Sequence, residues 1–320
     1  MQKEDLTIIF MGTPEFAVET LRALVENKYN VVAVVTQPDK PVGRHGSVLQ
    51  PSPVKQYAIE HGLPVLQPEK MKDPQFVETL RSYKCNLQIV VAFRMLPEVI
   101  WSMPKYGTFN VHASLLPQYR GAAPINWAVI NGETKTGVTT FFLDRDIDTG
   151  RVIDQIPFAI PDEADVEYVY EGLMSLGAKI CLSTLNKIIT SDGYPESEPQ
   201  EEPLNIHHAP KIFKETCKVD WNQPAKKIYD FVRGLSPYPG AWTSFNTPQG
   251  EMILKVFRTK KTEHLTEDAP GRLMVEGKRL FVACKDSWLE IKELQLAGKK
   301  RMDAVSFLNG NHDIENYSLG

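Results

Sequence analysis

Short apolar runs alternate with amphipathic stretches through the first half of the chain. Leu6–Met11 and Val31–Thr36 are rich in Ile and Val and bounded by turn residues, so both are expected as buried strands. Between them Pro14–Glu26 sets Phe16, Leu21, Leu24 and Val25 at helical spacing. The alternation continues with helices over Val54–Glu60, Pro74–Ser82, Pro124–Ile130 and Val166–Ile189. Strands are expected over Leu87–Ala92, Thr108–His112, Val138–Leu143 and Val152–Phe158. Buried strands alternating with helices predict an α/β domain over residues 1–190, with a mostly parallel, Rossmann-like sheet covered by helices on both faces. In such sheets ligands bind beyond the carboxyl ends of the strands.

The pattern breaks at Ser191–Pro203, where three prolines and five acids resist a helix and bury little. Residues 191–207 therefore read as a linker. Beyond it Pro224–Gly234 has helical spacing. Short strands follow at Trp242–Asn246, Met252–Thr259, Gly271–Val275, Arg279–Ala283 and Trp288–Leu296. Turns such as Pro248-Gln-Gly250 and Glu276-Gly-Lys278 separate them, and a small β-barrel over residues 208–320 is expected, with the oligonucleotide-binding (OB-like) type one candidate.

Composition changes the picture in two ways. Four well-separated cysteines, without a Cys-x-x-Cys pair, fit reduced thiols better than a disulfide framework or a zinc site. The opening residues are acidic and Leu6–Met11 is too short for a signal sequence, and no run approaches a membrane span, so a cytoplasmic protein is expected. Charge is uneven. Residues 1–207 hold 18 Lys/Arg against 26 Asp/Glu, a net −8, and residues 208–320 hold 18 against 14, a net +4. A basic C-terminal half suits a polyanionic partner, although chance unevenness gives the same count.

The chemistry concentrates in Gly107-Thr-Phe-Asn-Val-His112. On a strand, residues two apart point to one face, so Asn110 and His112 converge. An amide there can hold a carbonyl oxygen as it gains negative charge. Imidazole, titrating near pH ~6.5, can carry a proton. That combination suits acyl transfer. An aspartate could orient the imidazole, and Asp144, Asp146 and Asp148 all qualify, since spacing does not separate them. A metal reading of the three has no calcium-loop pattern behind it. Gly12-Thr-Pro-Glu-Phe16 follows a strand but lacks Gly-x-Gly-x-x-Gly and a Walker lysine, which disfavours a dinucleotide enzyme.

Together, Asn110-x-His112, Ser114-Leu-Leu-Pro117, Arg120-Gly-Ala-Ala-Pro124 and Asp148-Thr-Gly150 resemble the 10-formyltetrahydrofolate-dependent formyltransferases. The resemblance extends from Ile8–Ala17 through Pro51–Lys55 to Val219–Trp221, Ile228–Gly240, Gly298–Met302 and Phe307–Gly310. It therefore includes the C-terminal half and points to the branch of the family that acts on initiator methionyl-tRNA.

The resemblance implies 10-formyltetrahydrofolate as formyl donor, no metal, and an OB-like C-terminal domain that binds tRNA. It assigns catalysis to Asn110, His112 and Asp148, with Asp146 standing where the family has glycine. It likens Arg94, Met95, Leu96 and Pro97 to a pterin pocket, where the sequence alone favours an ordinary loop with Leu96 and Pro97 in the core. Ser114, Leu115, Leu116 and Pro117 resemble the segment beside the formyl donor. Lys40 and Arg44 lie in a loop resembling the one that enters the acceptor stem, with fewer basic residues than usual. Lys211, Lys214, Lys299, Lys300 and Arg301 are the further candidates for phosphate contact.

Overall fold

In chain order the first elements are β1 (Thr7–Gly12), α1 (Glu15–Glu26), β2 (Asn30–Val35), β3 (Lys40–Val42), β4 (Val48–Gln50), α2 (Pro53–Glu60), β5 (Val65–Leu66), α3 (Pro74–Ser82), β6 (Leu87–Val91), α4 (Glu98–Trp101) and β7 (Thr108–His112). Next come β8 (Arg120–Gly121), α5 (Pro124–Ile130), β9 (Lys135–Phe142), β10 (Val152–Ala159), α6 (Val166–Thr190) and β11 (His208–Ala209). The rest are α7 (Ala225–Gly234), β12 (Ala241–Thr247), β13 (Gly250–Leu265), β14 (Leu273–Glu276), β15 (Arg279–Ala283), β16 (Ser287–Leu296), β17 (Met302–Asp303), α8 (Ala304–Gly310) and β18 (Ser318–Leu319). The structure, a computed structural model, describes residues 1–43, 46 and 48–320.

Two compact units emerge, and they do not follow chain order. The first comprises residues 1–121, 135–159 and 170–208; the second comprises 122–134, 160–169 and 209–320.

The first unit holds a seven-stranded sheet in the order β10-β9-β7-β6-β1-β2-β5. β1, β2, β5, β6 and β7 are parallel. β9 runs antiparallel to β7, and β10 antiparallel to β9. The sheet is thus mostly parallel, as its continuous apolar strands require. One face buries Ile9, Met11, Ala33, Val35 and Val90 against Phe76, Val77, Leu80, Leu96 and Ile100. Helix starts follow local chemistry. Ser52 and Asp73 accept hydrogen bonds from the backbone N–H of Lys55 and Gln75, and each is followed by a proline at the first helical position.

In the second unit β14-β15-β16-β13-β12-β18 form an antiparallel sheet, with β17 pairing on β16. It curls until its ends meet. Arg272 bridges Ser318, and Leu319 N–H donates to the Gly271 carbonyl at 2.9 Å. Gly271 has φ +88°, and a Cβ there would lie 2.0 Å from the Leu319 carbonyl oxygen, so the closure needs glycine. β13 runs well past the expected Met252–Thr259. Its extension, Lys260–Leu265, is polar and pairs with β16 through register shifts, so no alternation marks it. Val219, Trp221, Ile228, Val232, Leu254, Val256, Leu280 and Phe307 are among its core residues.

Two short segments from the earlier chain join this unit through α7. Arg233, buried, pairs with the buried Asp230 at 2.8 Å and donates to the Ala164 carbonyl at 2.8 Å. Tyr229 donates its hydroxyl to the Asp162 carbonyl at 2.9 Å, and Asn126 donates to the Gly234 carbonyl at 2.9 Å. Among the described residues no helix is long and apolar enough to cross a membrane.

Candidate active site

β7 alternates its side chains as a strand must. Phe109 and Val111 point to one face and Asn110 and His112 to the other; all of β7 is buried except Asn110, which is half-buried. Among the described residues the Asn110 side-chain amide has no hydrogen-bond partner, so both of its N–H donors are available to a bound molecule.

His112 is oriented by the loop that follows it. Its Nε2 lies 2.9 Å from the Tyr119 carbonyl oxygen, and a carbonyl can only accept, so Nε2 carries the hydrogen. The lone pair of neutral His112 is then on Nδ1. Asp148 Oδ2 lies 3.8 Å from that atom, too far for a direct hydrogen bond. The same Oδ2 accepts from the Gly121 N–H at 2.9 Å.

Of the three candidate aspartates, only Asp148 faces His112. Asp144 and Asp146 are exposed, and Asp144 Oδ1 accepts from Thr149 Oγ1 at 2.8 Å within the loop. Asp148 has φ +56°, a left-handed conformation that costs a non-glycine residue energy and needs outside support. Gly150 passes close to the sheet; a Cβ there would fall 1.6 Å from the Phe142 carbonyl oxygen. Among the described residues no group of three or more His, Cys, Asp or Glu is placed to hold a metal ion.

The loop from Ser114 to Arg120 is braced by its own hydrogen bonding and by side chains of β9 and β10. Buried Ser114 donates its hydroxyl to the Gln118 carbonyl at 2.7 Å, and Thr139 donates to the Ser114 carbonyl at 2.6 Å. Leu116 N–H donates to Thr139 Oγ1 at 3.1 Å, and Gln155 Nε2 donates to the Leu116 carbonyl at 2.9 Å. Leu115 and Pro117 are half-buried and Leu116 is buried, with a cis peptide joining Leu116 to Pro117. Tyr119 has φ +60° and is buried, which is how its carbonyl turns back onto His112.

The loop after β6 divides its residues. Leu96 joins the core and Met95 is 68% exposed. Arg94 turns away to the carbonyls of Pro68 and Glu69. Of the basic candidates, Lys40 lies exposed on the β3–β4 hairpin, while Arg44 is outside the described residues. Lys211 lies over the Phe213 ring and Lys214 over Trp242. Lys299 and Lys300 are exposed, whereas Arg301 is paired with Glu293.

Sequence reasoning missed four contributors. The Tyr119 carbonyl and Gly121 N–H are backbone groups, invisible to any motif. Gln200 donates to the Asp148 and Gly150 carbonyls, and its one faint signal was to be the only amide in an acidic run. Lys218, which follows the short 3-10 turn Glu215–Cys217, lies over Trp242.

The geometry can be compared with known proteins. Residues 6–185 match the formyl transferase family, and residues 211–312 match the formyl transferase C-terminal domain. The methionyl-tRNA formyltransferase of Parabacteroides distasonis is 57% identical over 324 residues, covering 100% of both chains. That of Bacteroides fragilis is 55% identical over 324 residues, covering 100% of this chain and 99% of its own. A solved sugar 3N-formyl transferase, studied in the presence of dTDP and 5-N-formyl-THF, shares the fold at 17% identity. Its TM-score is 0.63, over 92% of this chain and 99% of its own. With both domains matched in order and full-length relatives more than half identical, the chain belongs to the methionyl-tRNA formyltransferase family.

Proposed function

We propose that this enzyme transfers the formyl group of 10-formyltetrahydrofolate to the α-amino group of methionyl-initiator tRNA, with Asn110, His112 and Asp148 as its catalytic residues. The observation that carries this reading is the open Asn110 amide beside an imidazole whose Nδ1 lone pair faces a carboxylate.

The chemistry runs in two halves. The amine lone pair attacks the formyl carbon, and the carbonyl electrons move onto oxygen. Asn110 donates to that oxygen as it becomes an oxyanion, an interaction of about 3–4 kcal/mol in comparable sites. His112 Nδ1 accepts the proton that the attacking nitrogen loses, and Asp148 stabilises the imidazolium. The carbonyl then re-forms, the bond to the folate nitrogen breaks, and His112 returns the proton to that leaving nitrogen. Atoms and charge balance without another reagent.

The donor reading fits the residues present. A formyl oxygen needs a donor, and the Asn110 amide hydrogens lack a protein partner among the described residues. Folate-bound structures share this fold, including HypX from Aquifex aeolicus with tetrahydrofolic acid at TM-score 0.62. Exposed Met95 and half-buried Pro97, Leu115 and Pro117 offer apolar surface for a flat heterocycle. The tRNA reading draws on the second unit. Lys211, Lys214 and Lys218 sit over Phe213 and Trp242, pairing cations with aromatic faces as nucleic-acid surfaces do. Lys40, Arg44, Lys299, Lys300 and Arg301 complete the proposed contacts.

The test offers radiolabelled 10-formyltetrahydrofolate with methionyl-initiator tRNA, methionyl-elongator tRNA and an amino-sugar nucleotide in parallel. Label on the initiator tRNA alone is expected. Label on the sugar nucleotide alone would retain the catalytic residues and reassign the second unit, and no label anywhere would overturn the reading.

A further inference from the structure

The acidic run after α6 is more than a spacer. Glu198 and Val152 exchange backbone hydrogen bonds at 2.8 and 2.9 Å, which fixes the run against the end of β10. Two residues on, half-buried Gln200 uses both ends of its amide. Nε2 donates to the Asp148 carbonyl at 2.8 Å and to the Gly150 carbonyl at 2.8 Å. Oε1 accepts from Arg120 Nη2 at 2.8 Å and Nε at 3.1 Å.

These bonds form a closed circuit around the aspartate. The Asp148 carboxylate is held by Gly121 N–H at 2.9 Å. Gly121 adjoins Arg120, Arg120 is held by Gln200, and Gln200 returns to the Asp148 backbone. The circuit therefore fixes Asp148 from both its main chain and its side chain. Its left-handed φ of +56° needs such external support, because the residue alone does not favour it.

We propose that Gln200 is a positioning residue that holds Asp148 against His112. The inference rests on the reading of Asp148 as catalytic. An amide is required chemically: it presents two donors to two carbonyls and an acceptor to a guanidinium at once. Glutamate would keep the acceptor and turn a carboxylate onto two carbonyl oxygens. Methionine would keep the volume and lose every hydrogen bond. Farther along, the same run braces the loop behind His112. Gln118 Nε2 donates to the Asn205 carbonyl at 2.9 Å, and Tyr119 N–H donates to the His207 carbonyl at 2.7 Å. Gln200, however, is the residue that reaches Asp148.

The test measures kcat and KM for full-length Gln200→Met, Gln200→Glu, Asp148→Asn and the double variant Asp148→Asn/Gln200→Met. Ser197→Ala serves as control, since Ser197 holds Arg151 from the same run without reaching Asp148. Gln200→Met is expected to lower kcat by about 10²-fold, the scale of a roughly 1 Å misplacement, with both KM values little changed. Gln200→Glu should be at least as slow, and Ser197→Ala should match the parent. In the double variant the Gln200 change should add nothing to the Asp148→Asn loss, because Gln200 acts through that carboxylate. A general loss of fold would instead multiply the two effects, and would overturn the proposal. So would a Gln200→Met defect confined to the KM for tRNA, or full kcat in Gln200→Met alongside an inactive Asp148→Asn. Full activity of Asp148→Asn would overturn the underlying reading of Asp148 itself.

Discussion

The Tyr119 carbonyl oxygen sits 2.9 Å from His112 Nε2, and this one contact sets which imidazole nitrogen is free for chemistry. A carbonyl cannot donate, so neutral His112 is the Nε2–H tautomer with its lone pair on Nδ1. Nitrogen chemical shifts of ¹⁵N-histidine-labelled enzyme should show neutral His112 protonated at Nε2 and bare at Nδ1. The reverse assignment would remove His112 Nδ1 as the proton acceptor.

Among the described residues the Asn110 amide has no hydrogen-bond partner. Asn110→Ala should lower kcat by about 10²–10³-fold while changing KM for either substrate little, because the oxyanion exists only beyond the ground state. A steady-state comparison with both substrates saturating in turn checks this. A change confined to KM would make Asn110 a binding residue only.

Gly150 is required by space. A Cβ at that position would overlap the Phe142 carbonyl oxygen, which is backbone and cannot swing aside. Gly150→Ala should push the Asp148 turn outward, lowering kcat along with roughly 1–3 kcal/mol of stability. Urea denaturation and turnover, measured on the same preparation, should both report a loss.

Glu290 gives the second unit a pH dependence. It is 2% exposed, and the hydrogen bond from Arg279 at 2.7 Å, assisted by Lys292 at 3.1 Å, holds its carboxyl below the usual range against the opposing effect of burial. A carboxylate whose pKa is lower folded than unfolded adds stability above the unfolded value, about 4.3. That stability is lost as pH falls through the folded value. Glu290→Gln should therefore cost roughly 1–2 kcal/mol at neutral pH. The difference in urea midpoint from the parent should shrink progressively below about pH 4.3. A difference independent of pH would remove the ion pairs as its cause.

Much of the architecture was legible because it depends on local periodicity. Pro74–Ser82, Thr108–His112, Pro124–Ile130 and Arg279–Ala283 begin and end where apolar spacing and turn residues put them. The β3–β4 hairpin and the polar end of β13 were not legible, since exposed strands need no alternation. Asn110 and His112 could be paired from strand parity alone. Asp148 could not be separated from Asp144 and Asp146 that way, because the three share the same spacing.

The sequence by itself determined the long strands and helices of both halves, the amide–imidazole pair on one strand face, and the formyltransferase resemblance that spans both halves. Each depends on neighbours within a few residues or on a motif read along the chain. Tertiary structure alone decided that Asp148 faces His112, that Tyr119 sets the imidazole tautomer, and that Gln200 closes a circuit around the aspartate. Those relationships join positions from 7 to 80 residues apart, often through backbone groups that every residue carries. No side-chain pattern along the chain can encode where such a carbonyl or N–H will point until the fold has brought it there.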